Sequence, residues 1–312
     1  MRLLRAELTR LFTRRFTKLM LLAVVLALGI VGAVTASETQ RPTPAEVQRA
    51  EASAAAAEAE CERAEPDINA PPGAGFDCDR ITSRDYLPYV LNFREQMPEL
   101  LLVLAGLLAL FGYLVGASVV GAEWSSGGMT NLLLWRPQRI RLLLGKLTAV
   151  AFGVFAVGAV LGVVWLAAIW LITWYRGVFG RLTEGFWASL GLDAARGMAL
   201  ALCVALVGAA LASLGRRTAA ALGVVVGYFV VWEIGTRLVM MVLRVVPDRY
   251  MISSYVGALL TKEYQLVDCP APFDGDCQVS TIPWSSGLGV VAGLTLFMMV
   301  AAVWSFRRKD VA

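Results

Sequence analysis

The chain contains long apolar stretches that lack the regularly spaced polar positions of soluble helices and strands. Residues 99–121, 147–174, 194–214, 218–243 and 286–306 form five such stretches, and residues 19–36 form a sixth, shorter one. A helix needs about 20 apolar residues to cross the hydrocarbon core of a bilayer. Helices also satisfy their backbone hydrogen bonds without water, and the stretches lack strand-like alternation. The sequence therefore predicts an all-α integral membrane protein with six transmembrane helices.

Composition agrees with this interpretation. Of the 312 residues, 58% are hydrophobic and 17% are charged. Soluble domains average about 45–50% and about 25%, respectively. The formal net charge of +4 could suggest a nucleic-acid-binding protein, but the distribution of the basic residues argues against it.

The distribution of basic residues predicts the orientation of the helices. Fifteen of the 28 basic residues lie in four short segments, at residues 1–18, 122–146, 216–217 and 307–312. The segment 37–98, on the opposite side, carries 12 acidic and six basic residues. Loops rich in Lys and Arg stay in the cytoplasm. Both termini are therefore predicted to be cytoplasmic, and an even number of spans agrees with termini on the same side.

The segments outside the spans have distinct predicted roles. Residues 1–18 form an amphipathic helix on the inner membrane surface, although a cleaved signal peptide is an alternative. Segment 37–98 is external and contains an Ala- and Glu-rich helix around 45–65. Segment 244–285 is also external, with short interfacial or re-entrant helices at 245–262.

Four cysteines lie in the two external segments, where the environment is oxidising. Three pairings are possible, and we favour the two local ones, Cys61–Cys78 and Cys269–Cys277, each of which closes one loop. Four free thiols remain an alternative. Zinc binding is disfavoured because the chain has no histidine and no C-x-x-C motif.

Two opposite charges lie within the fifth apolar stretch. Glu233 and Arg237 are four residues apart and so share one face of a helix. A charge at the centre of a membrane helix costs about 2.5–3.5 kcal/mol on insertion scales, and such charges usually pair or face a cavity. We therefore expect an intramembrane ion pair.

The sequence lacks the common catalytic motifs. Without histidine it has no H-E-x-x-H metal site and no Ser-His-Asp triad. Gly145-Lys146 is followed by Leu147, where a phosphate-binding loop needs Ser or Thr. We therefore expect no catalytic residue, no metal site and no ATP hydrolysis by this chain. Active transport would have to draw on a partner or on an ion gradient.

Residues 121–150 read GAEWSSGGMTNLLLWRPQRIRLLLGKLTAV. This segment resembles the membrane permease subunit of type-2 ABC exporters. Those permeases have six spans, cytoplasmic termini and an amphipathic helix before span 1. In that family, the connection between spans 2 and 3 begins with an acid and carries a helix that couples to the ATPase. Glu123 matches the acid, Trp124–Gly128 the turn that follows, and Arg136-Pro137-x-Arg139 the basic exit.

The resemblance implies roles for particular residues. The coupling residues would be Glu123, Leu132, Leu133, Trp135, Arg136 and Arg139. The substrate path would run between two facing copies, beside spans 2 and 5, with Tyr113, Tyr228, Trp232 and Glu233 nearest to it. Ordinary helix packing or interfacial anchoring is an equal alternative for these four. The long cysteine-bearing segment 37–98 departs from the shorter first loop common in the family.

The resemblance also implies partners and a location. An ABC ATP-binding subunit would hold the ATP and Mg²⁺, and a second permease copy, identical or paralogous, would complete the pathway in lipid of the bacterial inner membrane. No nucleic-acid partner is implied. An ion-coupled transporter or channel using Glu233 and Arg237 is the first alternative. A non-transporting scaffold or sensor built on segment 37–98 is the second.

Overall fold

The computed structural model of the protein describes residues 2–63, 78, 81–128, 139–243, 247–268 and 278–308. It is 85% helical and has almost no sheet. Six of its helices are long and apolar enough to cross a membrane. The all-α prediction with six spans is confirmed, and the chain is a multi-pass membrane protein.

The six long helices are named spans 1 to 6 in chain order. Spans 1 to 4 are Arg15–Glu38, Phe93–Ser125, Arg139–Arg176 and Glu184–Gly215, span 5 covers 218–243, and span 6 is Trp284–Arg308. Span 5 is α-helical at Thr218–Gly227 and Thr236–Leu243, with wider π-helical turns at Tyr228–Gly235 between them. Most spans are longer than the apolar stretches that predicted them, because a helix keeps its backbone hydrogen bonds in the polar flanks as well.

Two helix boundaries in the structure differ from those predicted from the sequence. Residues 1–18 do not form one helix, because the first helix, Arg2–Thr13, ends before Arg14 and span 1 begins at Arg15. The connection predicted at 122–146 is shorter, since span 2 continues to Ser125 and span 3 already begins at Arg139. Gly127 follows the end of span 2 with φ at 70°, a left-handed conformation that glycine adopts at little cost. Charged residues at both ends of the predicted connection are therefore helical.

The shorter elements include a β-hairpin that was not predicted from the sequence. The helix Ile252–Thr261 lies within the predicted 245–262 segment and leads into strand Glu263–Asp268, which pairs antiparallel with strand Gln278–Pro283. Leu266 and Ile282 are buried and pack with Ala258 of that helix. Cys269 and Cys277 lie outside the described residues, so their pairing stays a prediction.

Contacts divide the chain into two compact units. Unit 1 consists of Met1–Leu28, Pro98–Val164 and Thr183–Ala312, and unit 2 of Gly29–Met97 and Trp165–Leu182.

Unit 2 is held by aromatic packing and a disulfide. Phe93 is fully buried against Trp170 and Phe179, with ring centroids 5.3 and 5.9 Å away. The structure contains the predicted Cys61–Cys78 disulfide, with the two Cα atoms 5.9 Å apart.

A capping box starts the helix Pro44–Arg63 of unit 2. The backbone N–H of Thr43 donates to Oε2 of Glu46 at 2.7 Å, and the Thr43 hydroxyl donates to the same oxygen at 2.8 Å. The backbone N–H of Thr43 lowers the pKa of the Glu46 carboxyl, with help from that hydroxyl, because both bonds favour the ionised form.

Spans 2 and 4 pack through small residues in unit 1. Ala205 is fully buried, and its carbonyl lies where a Cβ on Gly116 would have to go. A Cβ on Gly112 would stand 2.9 Å from the carbonyl oxygen of Ala201 and 3.1 Å from Cβ of Ala205. Small residues four apart let two membrane helices approach until their backbones touch. This contact brings the two helices close together in unit 1.

Replacing Gly116 by Leu should therefore separate spans 2 and 4. We expect the free energy of unfolding in detergent to fall by about 1–3 kcal/mol, the usual cost of overpacking a close-packed site. Gly106 is the matched control, because it lies in the same helix and a Cβ added to it would meet no neighbouring atom within 4 Å. Equal loss of stability in Gly106→Leu and Gly116→Leu would contradict the proposed importance of this contact.

Candidate functional site

Four charged side chains meet in unit 1, and we call Glu7, Arg14, Glu123 and Lys146 the buried charge cluster. Nζ of Lys146 lies 3.1 Å from Oε2 of Glu7 and 2.5 Å from Oε2 of Glu123. Nη2 of Arg14 donates to Oε1 of Glu123 at 2.8 Å. Glu7 belongs to the N-terminal helix, and Arg14 lies between that helix and span 1. The cluster thus ties the N-terminal helix to spans 2 and 3.

The cluster is removed from solvent. The side chain of Lys146 is 0% exposed, that of Glu7 is 6% exposed and that of Glu123 is 11% exposed. Two acids and two bases compensate one another, which is the condition under which charges are tolerated away from water. Removing one of these charges would leave the cluster with an excess charge of the opposite sign.

Apolar packing holds the N-terminal helix against span 3. Leu11 is 2% exposed and lies one helical turn after Glu7, on the same face. Its side chain fits against Gly153, where an added Cβ would stand 3.2 Å from Leu11 Cδ1. The helix is amphipathic, as its sequence predicts, but its buried face contains an acid.

Aromatic residues surround the end of span 2 beside Glu123. Trp124 meets Phe306 of span 6 edge to face, with ring centroids 5.8 Å apart. The guanidinium of Arg216 lies 5.0 Å from the Trp124 ring centroid, a cation–π contact. Arg216 adopts a left-handed φ of 54° in the turn between spans 4 and 5. The end of span 2 therefore contacts span 6 and the turn that follows span 4, in addition to span 3.

The structure describes two of the six residues predicted to couple to the ATPase, Glu123 and Arg139. Glu123 lies in the buried charge cluster, close to the point where span 2 ends. Leu132, Leu133, Trp135 and Arg136 lie outside the described residues. Arg139 is the first residue of span 3. Glu123 lies near the end of span 2 and Lys146 about two helical turns into span 3, so their contact joins the two spans that flank the connection 126–138.

Neither Glu7 nor Lys146 was predicted from the sequence as a site residue. Lys146 counts there as one of several positive-inside charges, but the structure buries this lysine completely. Glu7 is distinctive in the sequence, because it is the only acid among residues 1–18, which contain six basic residues. A single acid placed one turn before Leu11 indicates a specific partner.

A second polar group surrounds Glu233 in unit 1, and we call Tyr228, Glu233, Arg237, Asp248 and Ser253 the Glu233 cluster. The Tyr228 hydroxyl donates to Oε1 of Glu233 at 2.8 Å. The Ser253 hydroxyl donates to Oε2 at 2.8 Å, and the Ser253 backbone N–H donates to Oε1 at 3.2 Å. Glu233 therefore binds an unsatisfied N–H in the first turn of the helix Ile252–Thr261, where a negative charge is favourable.

The predicted partner of Glu233 is less closely bound. Nη2 of Arg237 lies 3.9 Å from Oε2 of Glu233 and 3.5 Å from Oδ1 of Asp248. Its side chain is 48% exposed, whereas that of Glu233 is 7% exposed. Arg237 thus contributes to a mixed network, and the hydroxyls and the helix N–H hold the carboxylate more tightly.

The π-helical turns explain how Tyr228 reaches Glu233. In an α-helix, residues five apart point about 140° away from each other. Tyr228–Gly235 is π-helical, a form in which backbone bonds join residues five apart. Tyr228 and Glu233 are five apart and form a direct hydrogen bond here.

The other two predicted path residues make different contacts. Tyr113 is 7% exposed and donates its hydroxyl to the carbonyl of Ala221 at 2.6 Å, which joins span 2 to span 5. Trp232 is 47% exposed, and its indole N–H lies 3.4 Å from the carbonyl of Tyr250. Tyr228 and Glu233 are thus brought together, whereas Tyr113 and Trp232 bond to separate backbone groups.

Comparisons with known proteins do not identify the role of either cluster. No protein-family model matches the chain, and no curated protein matches it. Within the described ranges, no three His, Cys, Asp or Glu side chains group closely enough to hold a metal ion. The two clusters and the fold are therefore the basis for a functional proposal.

Proposed function

We propose that this chain is the membrane permease subunit of a type-2 ABC exporter. It would work as a pair of permeases, each docked to a separate subunit that binds ATP and Mg²⁺. The connection 126–138 would carry the docking helix at the cytoplasmic face of a bacterial inner membrane. The observation that carries this proposal is the buried charge cluster.

The buried charge cluster supports the proposal mechanically. A segment that docks to an ATPase must transmit the movement of the ATPase to the spans and must not deform itself. Lys146 joins Glu123 of span 2 to Glu7 of the N-terminal helix, and Lys146 itself belongs to span 3. A displacement of the connection would therefore move the N-terminal helix, span 2 and span 3 together.

The exposure of span 5 supports a second permease copy. Only 11% of its apolar window is buried within this chain, the same fraction as for span 1, compared with 22% for spans 3 and 6 and 56% for span 4. Span 5 also carries the partly exposed Arg237, and a charge facing lipid is costly. A facing copy would cover this span and place the Glu233 cluster beside the path between the copies.

The proposal is tested by replacing the apolar residues of the connection. In the tagged full-length chain expressed in its source cells, Leu133→Asp with Trp135→Asp should abolish co-purification of a protein containing a phosphate-binding loop. The physical reason is that an apolar helix face anchors in a groove of its partner, and buried carboxylates would prevent this. Recovery is measured by quantitative mass spectrometry.

The matched control adds the same charge without removing apolar side chains. Asn131→Asp with Gln138→Glu also introduces two acids into the connection and should leave the ATPase bound. Glu123→Gln should keep the ATPase bound, because Glu123 lies in the buried charge cluster and is not one of the apolar residues of the connection. This variant should lower the permease-dependent rate of ATP hydrolysis about tenfold. The corresponding loss of coupling free energy lies within the usual range. Normal ATPase binding by the Leu133→Asp, Trp135→Asp variant would remove the main support for the proposal.

The same experiment separates the alternatives. An ion-coupled transporter using Glu233 would need no ATPase, so that none would co-purify with the unmodified chain. The Glu233 carboxylate already accepts three hydrogen bonds, which suits a structural cap better than an open ion site. A scaffold or sensor would also lack the ATPase.

A further inference from the structure

A pocket of about 210 Å³ opens between spans 2 and 4 and the end of the helix Ile252–Thr261. All of its lining residues belong to unit 1. Leu101 and Leu102 of span 2 and Leu260 of the short helix provide apolar walls. Ala105 also lines the pocket and packs against Gly197 of span 4. The space far exceeds the ~30 Å³ that a water molecule occupies in the liquid.

The rim of the pocket carries charges of both signs. Nζ of Lys262 lies 3.4 Å from Oδ2 of Asp193 and 3.2 Å from the hydroxyl of Ser189. Asp193 also pairs with Arg196 at 3.0 Å, and its side chain is only 10% exposed. Glu99 lines the same pocket, is exposed, and has no partner among the described residues. The pocket lining therefore includes one uncompensated carboxylate and one lysine.

The backbone of Lys262 is held in an unusual conformation. Its φ is 76°, in the region that favours glycine. The carbonyl of Lys262 accepts a hydrogen bond from the backbone N–H of Trp284 at 2.8 Å, which fixes the turn after the helix Ile252–Thr261. Strain of this kind persists where the surrounding structure over-determines it. The turn directs the lysine across the pocket to span 4.

The pocket adjoins residues that are typical of the interface between hydrocarbon core and head groups. The guanidinium of Arg196 lies 4.9 Å from the ring centroid of Trp284, which begins span 6. Tryptophan is enriched where the hydrocarbon core meets the head groups. Leu192, which precedes Asp193 in span 4, is an apolar side chain that is 57% exposed. A molecule with a charged head and an apolar tail fits both features.

We propose that this pocket binds the head group of a phospholipid with a primary ammonium group. The ammonium would pair with Glu99, the phosphate would pair with Lys262, and the acyl chains would lie on Leu101 and Leu102. Lys262 is half exposed and has three N–H donors, so it can bind a phosphate while it keeps Asp193. An anionic head group without an ammonium would leave Glu99 unpaired. This lipid site is independent of the exporter proposal.

The test uses the purified full-length chain and synthetic lipids of identical acyl chains. Native mass spectrometry should detect one retained phosphatidylethanolamine per chain, bound more tightly than phosphatidylglycerol. Glu99→Gln should weaken phosphatidylethanolamine binding about tenfold, the factor that corresponds to 1.4 kcal/mol. Phosphatidylglycerol binding should not fall, since this lipid gains nothing from Glu99.

Glu184→Gln is the matched control, because Glu184 is an exposed acid of span 4 that does not line the pocket. It should leave binding unchanged. Unchanged phosphatidylethanolamine binding in Glu99→Gln would show a general lipid shell and overturn the assignment. Tighter binding of phosphatidylglycerol would overturn it too, because the site would then be purely anion-binding.

Two further measurements need no variant. Phosphatidylcholine has no N–H donor on its ammonium group and should bind more weakly than phosphatidylethanolamine, whereas equal binding would contradict the role of Glu99. Glycerophosphoethanolamine carries the same head group without acyl chains and should not displace the lipid at equal concentration. Displacement would indicate a site for a water-soluble amine and overturn the lipid assignment.

Discussion

Replacing Lys146 by Met is expected to lower the free energy of unfolding by about 3–5 kcal/mol, the cost of breaking a buried ion pair from one side. Lys146 is completely buried and lies against the carboxylates of both Glu7 and Glu123. Without the lysine, Glu7 keeps only the exposed Arg10, at 3.4 Å, as a charged partner among the described residues. The loss is measured by denaturant or thermal unfolding of the purified protein in detergent.

Two variants separate charge balance from side-chain packing. Adding Glu7→Gln to Lys146→Met should recover a large part of the lost stability, because Glu123 still pairs with Arg14. Lys18→Met removes a lysine that is exposed and should change the free energy of unfolding by less than about 0.5 kcal/mol. If the double variant is no more stable than Lys146→Met alone, the lysine acts through packing and the buried charge cluster is not the source of its effect.

Replacing Glu233 by Leu is expected to lower the free energy of unfolding by about 2–4 kcal/mol. The change would leave the Tyr228 and Ser253 hydroxyls and the Ser253 backbone N–H without their acceptor. A buried donor left unsatisfied costs about 1–3 kcal/mol, and a lost helix cap typically costs about 1 kcal/mol. Protection of the helix Ile252–Thr261 against amide hydrogen exchange should fall as well, since this carboxylate binds its first turn.

Arg237→Met is the matched comparison and should cost less than about 1 kcal/mol. Its side chain is 48% exposed and lies 3.9 Å from the Glu233 carboxylate, so solvent screens much of the attraction. The losses of unfolding free energy in Glu233→Leu and Arg237→Met should therefore differ clearly. Equal destabilisation by Glu233→Leu and Arg237→Met would instead favour the ion pair expected from the i, i+4 spacing as the main interaction.

The sequence by itself determined the class of the fold and the number of spans. Both depend on quantities that are read along the chain, namely the length of each apolar stretch and the absence of periodic polar positions. The structure has six long apolar helices where six were predicted. The Cys61–Cys78 disulfide could also be anticipated, because both residues belong to one local segment of the chain.

The tertiary structure decided which charges meet. Glu7 and Lys146 are 139 positions apart, and no pattern within either helix states that they pair. Their contact depends on how Leu11 packs against Gly153, and thus on the shape of two surfaces. The partners of Glu233 could not be predicted from the sequence either. Its charged neighbour at helical spacing is Arg237, but the hydroxyls of Tyr228 and Ser253 bind the carboxylate more closely. Apolar length is a local property of the chain, but the partner of a buried charge is chosen by packing between distant segments.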